Sequence, residues 1–176
     1  PHLVGSRSWP EALEAFAESF PAMGAAGRYD AIERWLGALP PDVAAASGLV
    51  NLWRGQALAR RGEAEAALAC YETAQARCEA AGDAAGALTA LLRRCTALAY
   101  DQAGAALAPL MARAEALLPA GSDVDRADWL LIKVLLADQA GDAAAVRAYN
   151  TQVLALDDPR AEVATARWIA RINLHT

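Results

Sequence analysis

One stretch constrains the fold more than any other: residues 48–79, GLVNLWRGQALARRGEAEAALACYETAQARCE. Apolar residues lie three to five apart on its first half and follow one helical face on its second half. Gly62 lies between the halves, where a glycine readily adopts the left-handed backbone that ends a helix. Gly55, Ala67 and Ala74 are small enough to let two helices approach closely. The stretch therefore predicts two antiparallel helices joined by a tight turn.

This pattern resembles the tetratricopeptide repeat, in which paired helices carry small and large residues at fixed positions. Tyr71 matches the aromatic position of that repeat, whereas Asn51 replaces its tryptophan and Glu79 replaces its closing proline. One position of the second helix recurs at spacings of 35, 40 and 39 residues, at Ile32, Ala67, Leu107 and Val146. These spacings exceed the repeat period of about 34 residues. We therefore expect an all-α fold, a right-handed α-solenoid of about four antiparallel helix pairs plus one terminal helix.

Capping residues and apolar spacing predict the other helices. Ser8 should cap a first helix, which Pro21 should kink or divide. Gly104 should mark a turn, and residues 41–47 should form a linker or a single helical turn. Asp158 should cap the last helix, with Pro159 as its first residue. Helices are expected over about 28–39, 84–101, 107–118, 123–140, 143–156 and 159–173.

Composition and charge exclude several classes of protein. No segment alternates like a β-strand, and much of the 56% hydrophobic fraction is alanine, the best helix former. A net charge of -5 with dispersed arginines argues against direct contact with nucleic acid. No N-terminal signal occurs and no apolar run approaches about 18 residues, so a cytoplasmic location without membrane contact is expected. The scattered thiols of Cys70, Cys78 and Cys95 fit a reducing compartment, where they behave as small apolar residues.

Residues 1–176 are expected to form a single repeat domain, and the start at Pro1 suggests a piece of a larger protein.

Catalytic motifs are missing from the sequence. Both histidines, His2 and His175, lie at the ends of the chain, and no phosphate-binding loop or GxGxxG motif occurs. Asp123, Asp125 and Asp128 could collect a cation, but acidic residues at a helix start are the commoner explanation. We therefore expect no enzyme activity, no metal and no cofactor.

Binding is the remaining class of function, and a solenoid offers its first helices as a concave surface for a peptide or a small polar ligand. The alternative is that the side chains of this surface only face solvent and bind no ligand. Trp35, Trp53 and Trp129 lie at packing positions and are expected in the core. The residues predicted to face the groove are Gln56, Arg60, Leu92, Thr96, Tyr100, Leu131, Asp138 and Gln139.

The ninth predicted helix carries one apolar stripe, formed by Ala161, Ala164, Thr165, Trp168 and Ile172. It either caps the solenoid or is half of a repeat whose second helix is missing from the chain. The apolar character of this helix favours the second interpretation.

A further resemblance is carried by residues 34–40, RWLGALP, followed by a short linker, by residues 55–59, GQALA, and by Gly62. These residues resemble the helical-repeat region of the large LuxR-type, MalT-like transcription regulators of bacteria, and the likeness covers about residues 20–157.

That resemblance implies a nucleotide-binding domain upstream and a helix-turn-helix downstream. The repeat region would bind a small-molecule inducer or a protein partner and control self-association into a homo-oligomer. It defines no ligand-binding residue. The alternative is a TPR scaffold that mediates protein–protein interaction beside another signalling or catalytic domain; a more remote one is a repeat region that serves an enzyme in the same polypeptide.

Overall fold

The computed structural model describes residues 9–100 and 104–175, and every regular element in these ranges is a helix. The all-α prediction is confirmed for this part of the chain. None of its helices is long and apolar enough to cross a membrane. The helices are α1 (Trp9–Ala25), α2 (Tyr29–Gly37), α3 (Pro41–Ala46), α4 (Gly48–Arg60), α5 (Ala64–Ala80), α6 (Ala84–Tyr100), α7 (Gly104–Leu117), a short 3-10 helix (Leu118–Ala120), α8 (Asp123–Gln139), α9 (Ala143–Leu154) and α10 (Ala161–His175).

Glycine–acid pairs form the tight turns between α4 and α5 and between α8 and α9. Gly62 has φ +80° and Gly141 has φ +71°, the left-handed backbone that the sequence predicts at Gly62. In both turns the N–H of the following residue donates to the carbonyl five residues earlier, which closes the preceding helix. The Asp142 carboxylate then accepts a hydrogen bond from the N–H of Ala145 and caps α9. Each dipeptide therefore joins the end of one helix to the start of the next.

Small residues set the close packing of α4 on α5. A Cβ atom added at Gly55 would lie 2.4 Å from Cε1 of Tyr71, so only glycine fits beside that ring. Ala67 and Ala74 of α5 are fully buried. The predicted close-approach positions are confirmed, and the aromatic ring at Tyr71 fills the space that the glycine leaves.

The segment expected as a linker or a single turn is the six-residue helix α3. Its end is joined to α4 by Asn51, whose buried Nδ2 donates to the carbonyls of Ala44, at 3.0 Å, and Ser47, at 2.9 Å. The Ser47 hydroxyl accepts a hydrogen bond from Val50 N–H, which confirms it as the N-cap of α4. Asn51 therefore has a hydrogen-bonding role at the position where the repeat consensus has tryptophan.

Aromatic side chains fill the core between α1, α2 and α4. The Phe16 and Trp35 rings stack with centroids 3.7 Å apart, and Trp53 meets Phe16 edge-on at 4.9 Å. Phe20 stacks on Trp53 at 5.1 Å. The prediction that Trp35 and Trp53 belong to the core is confirmed, since both lie in this cluster.

Leucine and alanine dominate the core after α5. Leu88, Leu91 and Cys95 of α6 pack with Ala114 of α7 and Trp129 of α8, and all five are buried. Trp129 is thus a core residue, as predicted. A further cluster joins α8, α9 and α10.

Alternate helices also touch, α6 with α8 and α8 with α10, so consecutive helix pairs lie side by side. The right-handed path of a TPR-like solenoid stays a prediction.

Three local predictions differ from the structure. Helix α1 runs on through Pro21 and is not divided, because Phe20 before the proline and Met23 after it pack on the same aromatic cluster. Gly104 begins α7 rather than marking a turn. The predicted N-cap Ser8 lies outside the described residues, so that prediction is not tested. Helix α10 begins at Ala161, and the Asp158 carboxylate instead binds the backbone N–H and the guanidinium of Arg160.

Candidate functional site

The two groove residues predicted on α4, Gln56 and Arg60, differ in their exposure to solvent. Gln56 is half-buried, and Arg60 is exposed at the end of the helix. The Arg60 guanidinium lies 4.0 Å from the centroid of the Tyr29 ring, a cation–π contact with α2. Arg60 therefore already has an intramolecular partner, although its charge stays accessible to solvent.

Helix α6 does not present the three groove residues predicted on it as one surface. Leu92 has no exposed area, so its assignment to a binding groove is wrong. The physical reason is that α6 is packed by α5, α7 and α8, which leaves little of its surface to solvent. The half-buried Thr96 donates its hydroxyl hydrogen to the Leu92 carbonyl, whereas Tyr100 is 71% exposed at the last residue of the helix.

The predicted residues of α8 are likewise separated. Leu131 is half-buried and packs on the α8–α9–α10 cluster. Asp138 is exposed. The Gln139 amide donates to the carbonyl of Ala99 at 2.9 Å, which joins the end of α8 to the end of α6 next to Tyr100. The structure thus brings Gln139 and Tyr100 to one end of the two helices.

The acidic residues at the start of α8 are occupied by protein partners. Asp125 and Ser122 form a capping box, and Asp125 also accepts a hydrogen bond from the hydroxyl of Thr89. Asp123 pairs with Arg126 at 2.7 Å. Within residues 9–100 and 104–175, no group of histidine, cysteine, aspartate or glutamate side chains could hold a metal ion.

Two consecutive arginines of α6 bind different neighbouring helices. Arg93 pairs with Asp128 of α8 at 3.0 Å, and Arg94 contacts Gln75 at 2.6 Å and Glu72 at 3.1 Å on α5. Burial raises the pKa of the Asp128 carboxyl, and the charge of Arg93 opposes that rise. These arginines link the helix pairs and are not free to bind a ligand.

The three thiols do not have the lowered pKa of catalytic cysteines. Cys78 and Cys95 are buried, and burial raises the pKa of each to about 11. Burial also raises the pKa of Cys70, against the charge of Arg54. All three thiols are therefore protonated at neutral pH, the less nucleophilic form.

Helix α10 has two apolar faces. Val163, Ala166 and Ala170 are buried against α9 and α8. On another side of the helix, Trp168 is 61% exposed and Ile172, one turn further along, is 42% exposed. The stripe predicted from the sequence contains both Trp168 and Ile172, so the sequence indicates this second apolar face. The sequence did not show whether another helix covers it.

No family model, no curated protein and no solved structure matched this chain.

Proposed function

We propose that this chain is a non-catalytic helical-repeat interaction domain that associates with a second copy of itself through the exposed face of α10. The observation that carries the proposal is the apolar stripe containing Trp168 and Ile172, on a helix whose other apolar face is already packed. Single exposed apolar residues are common on proteins, but a tryptophan and an isoleucine one turn apart form a continuous patch.

Burial of Trp168 supplies a physical reason for association. A tryptophan side chain buries about 150–250 Å² in a core or interface. At about 25 cal/mol per Å², covering the exposed part of Trp168 contributes roughly 2–4 kcal/mol. Tryptophan is also among the residues that contribute most to protein interfaces.

The sequence of α10 is suited to pairing with itself. Ala164 lies one helical turn before Trp168 and is exposed on the same side. In an antiparallel pair of α10 helices, each tryptophan can therefore lie over the small alanine of the other copy. Such a two-fold pair uses the same patch twice, which is the commonest symmetry of soluble oligomers.

Sedimentation equilibrium over a range of protein concentrations tests the proposal. We expect a reversible dimer whose dissociation constant rises at least tenfold in Trp168→Ser, since interface tryptophans often contribute about 2 kcal/mol or more. The matched control is Tyr100→Ser, which removes an aromatic ring of similar exposure from the end of α6. A monomer at every concentration, or equal weakening by both substitutions, would overturn self-association through α10.

Within this proposal, the narrower interpretation is the sensor region of a MalT-like transcription regulator located in the cytoplasm. Its support is the sequence of residues 34–40, which spans the end of α2 and leads to α3. Sequencing the parent gene on both sides tests it. A phosphate-binding loop upstream and a helix-turn-helix downstream would support the regulator; their absence would leave a TPR scaffold beside another kind of domain.

A further inference from the structure

A cavity of about 370 Å³ that is widely open to solvent lies between α2 and α4 and extends to Arg61, just after α4. Its volume falls within the range of about 300–1,000 Å³ that is usual for small-molecule sites. Apolar and charged side chains both line it: Leu36, Ala57 and Leu58 on the one hand, Glu33, Arg54 and Arg61 on the other. The cavity therefore offers both an apolar surface and a cation.

The two arginines of this cavity differ in their partners. Arg61 donates to Glu63 at 2.6 Å from Nε and lies 3.4 Å from Glu33 Oε1, so its guanidinium is already neutralised. Arg54 is half-buried, and within the described part of the chain its side chain has neither a hydrogen bond nor an ion pair. A half-buried arginine without a carboxylate partner among the described residues is able to pair with a bound anion.

We propose that this cavity binds a small monocarboxylate with an apolar body. The carboxylate accepts two parallel hydrogen bonds from the planar fork of Arg54, the geometry that arginine provides best. The apolar body packs on Leu36, Ala57 and Leu58. This site is separate from the α10 face, and the proposal does not depend on self-association.

Charge balance favours a monocarboxylate over a phosphate ester. A phosphate dianion brings two negative charges, but Arg54 is the one arginine of the lining without a partner among the described residues. The carboxylate of Glu33 also lines the cavity and repels a second negative charge. A ligand with one negative charge pairs with Arg54 without adding a second charge near Glu33, and its apolar body packs on the apolar part of the lining.

Isothermal titration with octanoate and phenylacetate, and with their neutral amides, tests the proposal on the full chain. We expect at least one carboxylate to bind at least tenfold more tightly than its amide, because hydrogen bonds to charged groups are stronger than neutral ones. In Arg54→Gln the carboxylate should bind at least tenfold more weakly. The control Arg77→Gln removes an exposed arginine of α5 that does not line the cavity, and should bind like the wild type.

A second variant separates the effect of blocking the cavity from the effect of removing the arginine charge. Gly37 lines the cavity and a Cβ atom added there meets nothing within 4 Å, so Gly37→Leu introduces an apolar side chain at the lining and keeps the arginine at position 54. We expect this variant to lose carboxylate binding while circular dichroism shows an unchanged melting transition. The proposal is overturned if no carboxylate binds at millimolar concentration, if the amides bind equally well, or if Arg54→Gln and Arg77→Gln behave alike.

Discussion

Trp53 and Trp168 are the same residue type on two amphipathic helices, yet Trp53 is 3% exposed and Trp168 is 61% exposed. Trp53 on α4 is surrounded by side chains of α1 and α2. Helix α10 packs on α8 and α9, but Trp168 lies away from that contact. The difference teaches that in a stack of helices the burial of an apolar side chain depends on whether a neighbouring helix covers its face.

The two regions also use different kinds of packing. The N-terminal cluster brings four aromatic rings together, with centroids from 3.7 to 6.0 Å apart. The α8–α9–α10 cluster is formed by aliphatic residues such as Val153 and Val163. We therefore expect the largest effects of substitution at the aromatic end and the smallest at the exposed face of α10.

The largest expected effect is that of Trp53→Ala. The substitution removes a buried indole that contacts Phe16, Phe20 and Trp35, and it should lower the free energy of unfolding by about 3–5 kcal/mol. Urea denaturation followed by circular dichroism measures this change. Trp53→Phe is the control and should lose less, since it keeps an aromatic ring. A loss below about 1 kcal/mol for Trp53→Ala would contradict the cluster as described.

The next effect concerns the contact between α4 and α5. Gly55→Ala places a methyl group 2.4 Å from the Tyr71 ring, and overpacking of this kind costs about 1–3 kcal/mol. Gly24→Ala is the matched control in α1, where an added Cβ meets nothing within 4 Å. We expect it to raise stability by about 0.4–1 kcal/mol by reducing the entropy of the unfolded chain. Opposite signs in thermal or urea denaturation would support the close approach, and equal signs would contradict it.

Loss of the buried hydrogen bond of Asn51 should reduce stability about as much as overpacking at Gly55. Asn51→Ala leaves the carbonyl of the fully buried Ala44 without its side-chain donor, which should cost about 1–3 kcal/mol. Thr73→Ala is the control, because its hydroxyl bonds to Ala69 at the surface of one helix, and it should change stability by less than about 0.5 kcal/mol. Similar losses for the two variants in urea denaturation would show that Asn51 does not join α3 to α4.

The smallest effect on stability is expected for Trp168→Phe. The indole is 61% exposed and phenylalanine keeps an aromatic ring there, so the free energy of unfolding, measured under monomeric conditions, should change by less than about 0.5 kcal/mol. The same substitution should remove the part of the tryptophan fluorescence that iodide quenches most readily. If quenching measured under the same monomeric conditions is unchanged, or stability falls by more than about 1 kcal/mol, Trp168 is covered within the single chain and the contrast with Trp53 fails.

The central helix pair was the most predictable part of the fold. Gly55, Gly62, Ala67 and Ala74 predicted a tight turn and a close helix contact, because steric limits on glycine and alanine are local and independent of the rest of the chain. The burial of Trp53 and the packing of the half-buried Trp35 against the same cluster followed from helical periodicity in the same way. Pro21 was predicted to kink or divide α1, and the division was wrong, since packing on both sides of the proline outweighs one missing hydrogen bond.

The candidate binding surfaces were much less predictable. Periodicity places Leu92 on one side of α6, but it does not tell how many helices surround α6, and Leu92 is buried. Arg54 lies on α4 and Arg61 directly follows that helix, and local sequence does not tell which of them is paired. The structure shows that Arg61 contacts Glu33 and Glu63, whereas Arg54 has no ion-pair partner among the described residues.

The sequence by itself determined the all-α class, the main turns and the small residues at which α4 and α5 meet. These features depend on backbone geometry, capping and the spacing of neighbouring residues. Only the tertiary structure decided that Leu92 is buried, that Trp168 is exposed and that Arg54 lies beside a cavity without an ion-pair partner among the described residues. The physical reason is that burial and ion pairing depend on residues distant in the chain, so they are decided by which helices pack against one another and not by local pattern.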